Sequence, residues 1–225
     1  MSIAENLESV RAAISSAAEK AGRDPASVQL VAVTKTWPPE IIREVVAAGQ
    51  RVLGENKVQE LLEKTAVLPA SIEWHLIGHL QQNKTRKVLP HCALIHSVDS
   101  AGLAAQISRI AGELGRSAKV LLQVNVANDD AKFGFPIGEV RRDFRDLLAL
   151  PNLEIRGLMT VPPFEPDLEK VRPHFAALRQ LRDELAADHG CDLPELSMGM
   201  SHDFAVAIAE GATFVRIGSS IFGHR

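Results

Sequence analysis

The feature that most constrains the fold is a regular alternation of short apolar runs with segments of helical periodicity. Eight such runs occur, at residues 28–35, 51–56, 72–79, 93–100, 119–127, 154–161, 195–199 and 213–220. They are apolar on both faces, which is typical of parallel strands covered by helices on one side and by a core on the other. Eight β units with helical crossovers predict an α/β protein, a closed (β/α)₈ (TIM) barrel. An open, doubly wound sheet is the main alternative.

The segments outside these runs carry apolar residues three and four positions apart, as amphipathic helices do. One stripe precedes the first run and predicts an extra N-terminal helix that ends near Gly22; it comprises Ile3, Leu7, Val10, Ile14 and Ala17. Two later stripes consist of Leu103, Ala104, Ile107, Ile110, Ala111 and Leu114, and of Leu168, Val171, Phe175, Leu178, Leu181 and Leu185. Only Ile221 to Arg225 follow the eighth run, so we expect the N-terminal helix to take part of the place of an eighth helix. Because no Pro-, Gly- or Ser-rich linker interrupts the pattern, residues 1–225 are expected to form a single domain.

Charge and cysteine content exclude several classes of protein. Twenty-five Lys and Arg residues balance 28 Asp and Glu residues, for a net charge of -3, which provides no global field for nucleic acid or an anionic membrane. No window approaches the roughly 20 apolar residues of a membrane-spanning helix, and the polar N-terminus is unlike a signal peptide. Cys92 and Cys191 are too few for a disulfide framework or a CxxC zinc site. We therefore expect a cytoplasmic protein.

Functional residues of such a barrel collect at the carboxyl ends of its strands. Polar side chains are frequent at these positions here: Lys35; Glu55 and Asn56; His75 and His79; Ser97 and Asp99; Asn125 and Asn128; Met159 and Thr160; Ser197 to Ser201; and Arg216 to Ser220. Lys35 is the most informative, because it directly follows the apolar run LVAVT. Desolvation disfavours the charged form of a lysine, which is how such an amine becomes a nucleophile toward an aldehyde. A lysine that only reaches solvent is the alternative.

The last two strand ends favour phosphate binding. Gly218, Ser219 and Ser220 offer backbone N–H groups and hydroxyls at the end of the eighth strand, and residues 197–203 add small and hydroxyl side chains that lead into a helix. Barrel enzymes often bind phosphate at the loops after strands seven and eight. An ordinary turn is the alternative for each loop taken alone.

Other motifs carry less weight. His75 and His79 are four apart in a strand and its following loop, where that spacing separates them, so no metal site is expected. Cys92 next to His91 is better explained as a buried structural cysteine than as a nucleophile. The chain contains neither GxxxxGK nor GxGxxG, so nucleotide binding through those loops has no support.

Together, these residues resemble the YggS/PROSC family, the pyridoxal phosphate homeostasis proteins, whose fold is similar to the N-terminal barrel domain of alanine racemase. The resemblance runs over essentially the whole chain. It depends on the following motifs: LVAVTKTWP (30–38), GENKVQE (54–60), WHLIGHLQQNK (74–84), HSVDS (96–100), QVNVANDDAKFGF (123–135), GLMTVPPF (157–164), LSMGMSHDF (196–204) and VRIGSSIFG (215–223).

The resemblance implies the cofactor and its ligands. Lys35 would form the Schiff base, the internal aldimine, with pyridoxal 5′-phosphate. The phosphate would lie among Ser201, Gly218 and Ser219, near the Met200 backbone. Arg216 would face the pyridine nitrogen; because an arginine stays protonated, it cannot pass a proton to the ring, and the cofactor would be a weaker electron sink. Asn56, His79 and the Met159 loop would line the mouth.

The resemblance to alanine racemase also raises the question of catalysis. Racemization in that family needs a second base, a tyrosine from a separate C-terminal domain, whereas this chain ends at Arg225 and contains no tyrosine. We therefore expect a monomeric, non-catalytic carrier that buffers or delivers pyridoxal phosphate, affects amino-acid and keto-acid metabolism, and has PLP-dependent apo-enzymes as partners. His79 or Cys92 as a substitute base, and weak racemase activity, stay open.

Two further alternatives stay open from the sequence. One is a Schiff-base barrel of the aldolase type, in which Lys35 attacks a carbonyl substrate whose phosphate binds the same two loops. The lysine of such aldolases typically lies on a strand of the second half of the barrel, whereas Lys35 follows the first strand. The other is a structural or protein-interaction role in which the cofactor is vestigial.

Overall fold

The computed structural model describes residues 2–129 and 131–223. Its eight strands are β1 (Gln29–Val33), β2 (Val52–Glu55), β3 (Glu73–Leu76), β4 (Leu94–Val98), β5 (Ala118–Gln123), β6 (Leu153–Met159), β7 (Glu195–Met200) and β8 (Phe214–Ile217). Each strand pairs in parallel with its neighbour in the sequence, and β8 pairs with β1, so the sheet closes. The predicted barrel is confirmed, and the open-sheet alternative is wrong.

Nine α-helices surround the described barrel: α1 (Ile3–Lys20), α2 (Pro39–Ala47), α3 (Val58–Thr65), α4 (Thr85–Val88), α5 (Ala101–Glu113), α6 (Ile137–Leu148), α7 (Leu168–His189), α8 (Phe204–Ala209) and α9 (Ser219–Phe222). Three 3₁₀ turns add Pro25–Ser27, Gln82–Lys84 and Leu89–His91. The predicted stripes of α5 and α7 face the core, because their central members are buried. Leu114 is the exception: it follows the last turn of α5 and is 38% exposed. None of these described helices is both long and apolar enough to cross a bilayer.

The N-terminal helix α1 begins at a capping box and ends just before Gly22. The Ser2 backbone N–H donates to Glu5 Oε2 at 2.7 Å, and the Glu5 N–H donates to Ser2 Oγ at 3.2 Å, which satisfies two otherwise unpaired donors. Gly22 has φ +68°, a left-handed conformation that glycine adopts readily. The helix packs against α8, α9 and α2, and the Asn6 amide donates to the Ile221 carbonyl at 3.0 Å. The helix therefore takes part of the place of an eighth outer helix, beside the short α9.

Most of the apolar core lies between the helices and the outer face of the barrel. A second, smaller cluster contains Leu94, Leu121 and Met159, with Phe214 packed against it. These residues belong to β4, β5, β6 and β8. The same strands and their neighbours also carry buried polar side chains, among them His75 on β3, His96 on β4, Ser197 on β7 and Arg216 on β8. Because all eight strands are parallel, their carboxyl ends open at one end of the barrel, which we call the mouth.

Candidate functional site

The residues predicted to bind the cofactor lie at the mouth. Lys35 follows β1, Asn56 follows β2, and His79 lies three residues beyond β3. The others belong to the ends of the last two strands: Met200, Ser201, Arg216, Gly218 and Ser219. Strands β7, β8 and β1 are consecutive in the barrel, and Met200 pairs with Arg216 in the β7–β8 register. The structure therefore places Lys35 and the two proposed phosphate loops on neighbouring strands.

The Lys35 side chain is exposed and has no hydrogen-bond or ion-pair partner among the described residues. The expectation of an amine desolvated by the protein is thus not met in this structure. The residue before it, Thr34, is fully buried. The residue after it, Thr36, has φ +66°, and its N–H donates to Glu60 Oε2 at 2.7 Å. A left-handed conformation is costly for a β-branched residue, so this hydrogen bond helps to hold the turn that presents the Lys35 amine.

A buried ionic cluster supports this turn, and it was not predicted from the sequence. Lys64 on α3 donates from Nζ to the Thr34 carbonyl at 2.8 Å and to Glu60 Oε2 at 3.4 Å, and it forms an ion pair with Glu55. The Thr34 hydroxyl donates to the same Glu55 oxygen at 2.6 Å. Burial raises the pKa of Glu55 even though Lys64 and Thr34 lower it. Glu60 and Lys64, four residues apart on one helix, were the only sequence signal for the cluster.

The loops after β7 and β8 offer donors for an anion. The hydroxyls of Ser201 and Ser219 have no hydrogen-bond partner within the described part of the chain. The α9 helix starts at Ser219. The N–H groups of Ile221 and Phe222 donate to the Gly218 carbonyl, whereas those of Ser219 and Ser220, at the first two positions, have no intrahelical acceptor. A Cβ at Gly218 would lie 3.3 Å from the Val33 carbonyl oxygen, so this loop packs closely against the end of β1.

The Met200 backbone, which the resemblance places near the phosphate, is already hydrogen-bonded in this structure. Its N–H already donates to Asp203 Oδ1 at 2.6 Å. An anion beside Met200 would have to share this donor with a carboxylate, which repels it. The donors in this region that remain uncommitted are therefore those of Ser201 and of the Gly218–Ser219 turn.

Arg216 lies inside the barrel and is 4% exposed. Its Nη1 donates to Ser197 Oγ at 2.6 Å and its Nη2 donates to the Thr160 carbonyl at 2.9 Å. Burial lowers the pKa of Arg216 to about 10, and the Asp203 carboxylate acts in the opposite direction. The guanidinium is therefore charged at neutral pH and held by two acceptors from β7 and the end of β6.

The opposite side of the mouth is built by the ends of β2, β3 and β4. A Cβ at Gly78 would meet the Asn56 carbonyl oxygen at 2.3 Å, and the Gly78 carbonyl accepts from Ser97 Oγ at 2.6 Å. His79 Nδ1 lies 2.8 Å from Asp99 Oδ2. The ring of His79 stacks on the exposed Phe133, with 4.0 Å between the ring centroids. Asn56 and His79 also line one cleft, together with Lys84.

Three other residues considered from the sequence do not lie at the surface of the mouth. His75 is buried inside the barrel rather than at the strand end. Met159 is buried in the interior apolar cluster. Cys92 precedes β4 and therefore lies at the end of the barrel opposite the mouth, where burial raises the pKa of its thiol to about 12. In residues 2–129 and 131–223, no group of His, Cys, Asp and Glu side chains has the arrangement of a metal site.

Comparison with known proteins agrees with this architecture. The family model described as "Alanine racemase, N-terminal domain" matches residues 5–225. The chain is 46% identical over 226 residues to the pyridoxal phosphate homeostasis protein of Aquifex aeolicus (strain VF5), covering 100% of this chain and 99% of that protein. It is 39% identical to the protein of the same name from Escherichia coli (strain K12), covering 99% and 97% of the two chains. The resemblance inferred from the motifs is confirmed.

Solved structures extend the comparison. PipY of Synechococcus elongatus PCC7942, with PLP bound, has a TM-score of 0.88 and 44% identity, covering 98% of this chain and 100% of that one. An alanine racemase of Clostridium difficile 630 has a TM-score of 0.77 at 17% identity, covering 99% of this chain and 56% of that one. The second likeness shows the common barrel fold alone.

Proposed function

The chain belongs to the alanine racemase N-terminal domain family and, within it, to the pyridoxal phosphate homeostasis proteins; from that premise we propose that it binds pyridoxal 5′-phosphate at the mouth and buffers or delivers it. The observation that carries the proposal is the Lys35 amine: it is exposed, has no partner among the described residues, and follows β1, the strand that pairs with β8 next to the Gly218–Ser219 turn. An accessible primary amine beside a set of anion donors is what an aldehyde that carries a phosphate requires.

The chemistry of the donor set fits the cofactor. The two uncommitted hydroxyls of Ser201 and Ser219 and the N–H groups of the adjoining turn can bind phosphate oxygens without displacing a protein hydrogen bond. We keep Met200 in the proposed site as a neighbour of the phosphate rather than as a donor, because its N–H is paired with Asp203. Asn56 and His79 would face the cofactor from the other side of the mouth.

When bound, pyridoxal phosphate supplies an aldehyde that condenses reversibly with a primary amine and a ring that can accept electron density. Lys35 would provide the amine. Arg216 would face the ring nitrogen with a guanidinium that already carries its proton and stays charged at neutral pH. Because such a group cannot protonate the ring, the bound cofactor would be poorly suited to stabilising a carbanion.

The chain's own residues support a carrier rather than an efficient racemase. None of the 225 residues is a tyrosine. Cys92 lies at the opposite end of the barrel with a thiol pKa of about 12, so it cannot act as a base at the mouth. His79 lies at the mouth, but its Nδ1 is bound to Asp99 and its ring is stacked on Phe133. We propose no catalytic residue for this chain.

We further propose that residues 1–225 act as one cofactor-binding domain and as a monomer in the cytoplasm, with PLP-dependent apo-enzymes as recipients. Cys92 and Cys191 are free thiols, as is usual in a reducing compartment. The net charge of -3 offers no strong field for nucleic acid or an anionic membrane, so neither is proposed as a partner. Light scattering in solution tests the monomer.

The carrier role is tested by loading the protein with pyridoxal phosphate and measuring two outcomes. Incubation with alanine or serine should give no racemization or deamination at ordinary enzymatic rates. Incubation with a cofactor-free PLP enzyme should restore the activity of that enzyme as cofactor leaves this protein. Turnover of an amino acid at enzymatic rates, absent from the Lys35→Ala variant, would refute the carrier role.

A further inference from the structure

A line of hydrogen-bonded side chains runs through the inside of the barrel and ends on Arg216. We call it the interior chain; in order, it consists of Glu73, His75, His96 and Ser197. Successive members are 3.1 Å, 2.9 Å and 2.8 Å apart, and the last link to Arg216 Nη1 is 2.6 Å. His96 lies on β4 and Ser197 on β7, which are not neighbouring strands. Their hydrogen bond therefore crosses the barrel interior.

The interior chain connects the two ends of the barrel. Glu73 is the first residue of β3, and its side chain is half exposed. It lines a cavity at the end of the barrel opposite the mouth, together with Gln29, Glu195 and Phe214. His75, His96 and Ser197 are at most 1% exposed. The Phe214 ring packs against both imidazoles, with centroid distances of 5.5 Å and 5.4 Å. The interior chain is thus a polar path in apolar surroundings, where each unmade hydrogen bond is costly.

The two ends of the chain determine which atom donates in every link. Arg216 can only donate, so Ser197 Oγ accepts from it. At the other end, the hydrogen bond from His75 lowers the pKa of Glu73, which is therefore a carboxylate and accepts from His75 Nε2. With its ring hydrogen on Nε2, His75 can accept at Nδ1, so His96 donates from Nε2 and accepts at its own Nδ1. The Ser197 hydroxyl consequently donates to His96.

In this pattern each polar hydrogen of the interior chain makes one hydrogen bond, and every bond is donated in the direction from Arg216 toward Glu73. Reversing it requires an additional proton on the imidazole pair. Burial lowers the pKa of His96 well below its usual value, and the charge of Arg216 acts in the same direction, so the buried ring stays neutral. Besides these groups, Lys119 is the charge that acts on Glu73. The arrangement therefore has one stable orientation.

We propose that the interior chain is a positioning device for Arg216. It commits the Ser197 hydroxyl hydrogen to His96, so that the serine oxygen is always available to Nη1 as an acceptor. With the Thr160 carbonyl holding Nη2, the guanidinium has one orientation and three N–H groups left for the ring of the bound cofactor. This inference rests on the proposed function, because the ring in question is that of pyridoxal phosphate.

The first test uses the protein without added cofactor. Nitrogen NMR of ¹⁵N-histidine-labelled protein at neutral pH should show both His75 and His96 as neutral rings protonated at Nε2. The signals are assigned from the His96→Leu variant, which also frees His75 Nδ1 from its partner. An imidazolium at His75 together with an Nδ1-protonated His96 would overturn the proposal. Because no cofactor is involved, this result is independent of whether pyridoxal phosphate binds.

The second test measures the bound cofactor in Ser197→Ala and His96→Leu. Both variants should shift the visible absorption maximum of bound pyridoxal phosphate in the same direction, and Ser197→Ala should weaken its binding roughly ten-fold, the effect of one charge-assisted hydrogen bond. Ser108→Ala is the matched control, because it also removes a buried serine hydroxyl, bonded to the Pro151 carbonyl outside the barrel. Its spectrum should equal that of the native protein.

His96→Leu is the decisive variant of the pair, since it leaves Arg216 and both of its acceptors in place. If the interior chain positions Arg216, this variant should shift the absorption maximum while the Arg216 contacts remain. If only the contact between Ser197 and Arg216 matters, the variant should cause no shift. An unchanged spectrum in His96→Leu would overturn the proposal. If the native protein bound no pyridoxal phosphate, the proposed function would be wrong. The NMR measurement on the two histidines would still determine the direction of the hydrogen bonds in the interior chain.

Discussion

Replacing Lys64 by Met is expected to destabilise the barrel strongly. The Lys64 ammonium is 6% exposed and bonds to the Thr34 carbonyl, Glu55 and Glu60. Its removal leaves the fully buried Glu55 carboxylate with the Thr34 hydroxyl as its only strong donor, since Glu55 Oε2 has no partner among the described residues. Leaving one member of a buried ion pair unpaired costs about 3–5 kcal/mol. We expect a loss near the lower bound, because Glu55 can take up a proton.

Urea unfolding followed by circular dichroism measures this loss. The double variant Lys64→Met/Glu55→Leu should recover most of it, because replacing both charges by apolar groups removes the unpaired carboxylate. The matched control is Lys57→Met: Lys57 is an exposed lysine 4.0 Å from Glu60 Oε1, and its loss should change stability by at most about 0.5 kcal/mol. A loss below about 1 kcal/mol in Lys64→Met, or a double variant less stable than that single variant, would refute the reasoning.

The same variant has a predictable pH dependence. Burial raises the folded-state pKa of Glu55 above its ordinary value of 4.5, so this group stabilises the fold fully below 4.5 and loses that contribution as the pH rises through its folded-state pKa. Without Lys64 the folded-state pKa rises further. The deficit of Lys64→Met relative to the native protein should therefore be largest at neutral pH and shrink toward pH 4.5. A deficit that grew on acidification would contradict this assignment.

Two further predictions concern close packing and thiol reactivity. Gly78→Ala should destabilise the protein by about 1–3 kcal/mol, because the added Cβ would meet the Asn56 carbonyl oxygen at 2.3 Å. The control Gly138→Ala on α6, whose added Cβ would have nothing within 4 Å, should be neutral or stabilising by up to about 1 kcal/mol in the same urea assay. Equal losses of stability in the two variants would contradict the close packing at Gly78. In the folded protein Cys191 should react with a thiol reagent before Cys92, whose burial raises its pKa to about 12; equal rates in a spectrophotometric thiol assay would show that Cys92 is accessible.

The order of strands and helices was predictable because each run is apolar on both faces and each helix is apolar on one. These patterns depend on local periodicity, which a single sequence displays. The helix α1 was also predictable, since its apolar residues recur three and four positions apart and form its buried face. Leu114 was misplaced because it continues the stripe of α5 beyond the residue at which that helix ends.

The buried polar groups were not predictable, because their partners come from distant parts of the chain. His96 and Ser197 are 101 residues apart, and only the closure of the barrel brings them together. In the sequence, His96 and Ser197 each appear as a polar residue within an apolar run, with no sign of the partner. Similarly, the hydrogen bond from the Met200 N–H to Asp203 depends on the turn between β7 and α8, which the motif alone does not show.

The proposed attachment of pyridoxal phosphate to Lys35 can be measured by reductive trapping. The protein is mixed with the cofactor, reduced with borohydride, digested, and analysed by peptide mass spectrometry. We expect one stoichiometric adduct on Lys35, with none on Lys57 and Lys84, which line the cleft beside Asn56 and His79, and none in the Lys35→Ala variant. An adduct distributed over several lysines, or no adduct at all, would contradict the claim and favour a carbonyl substrate other than pyridoxal phosphate.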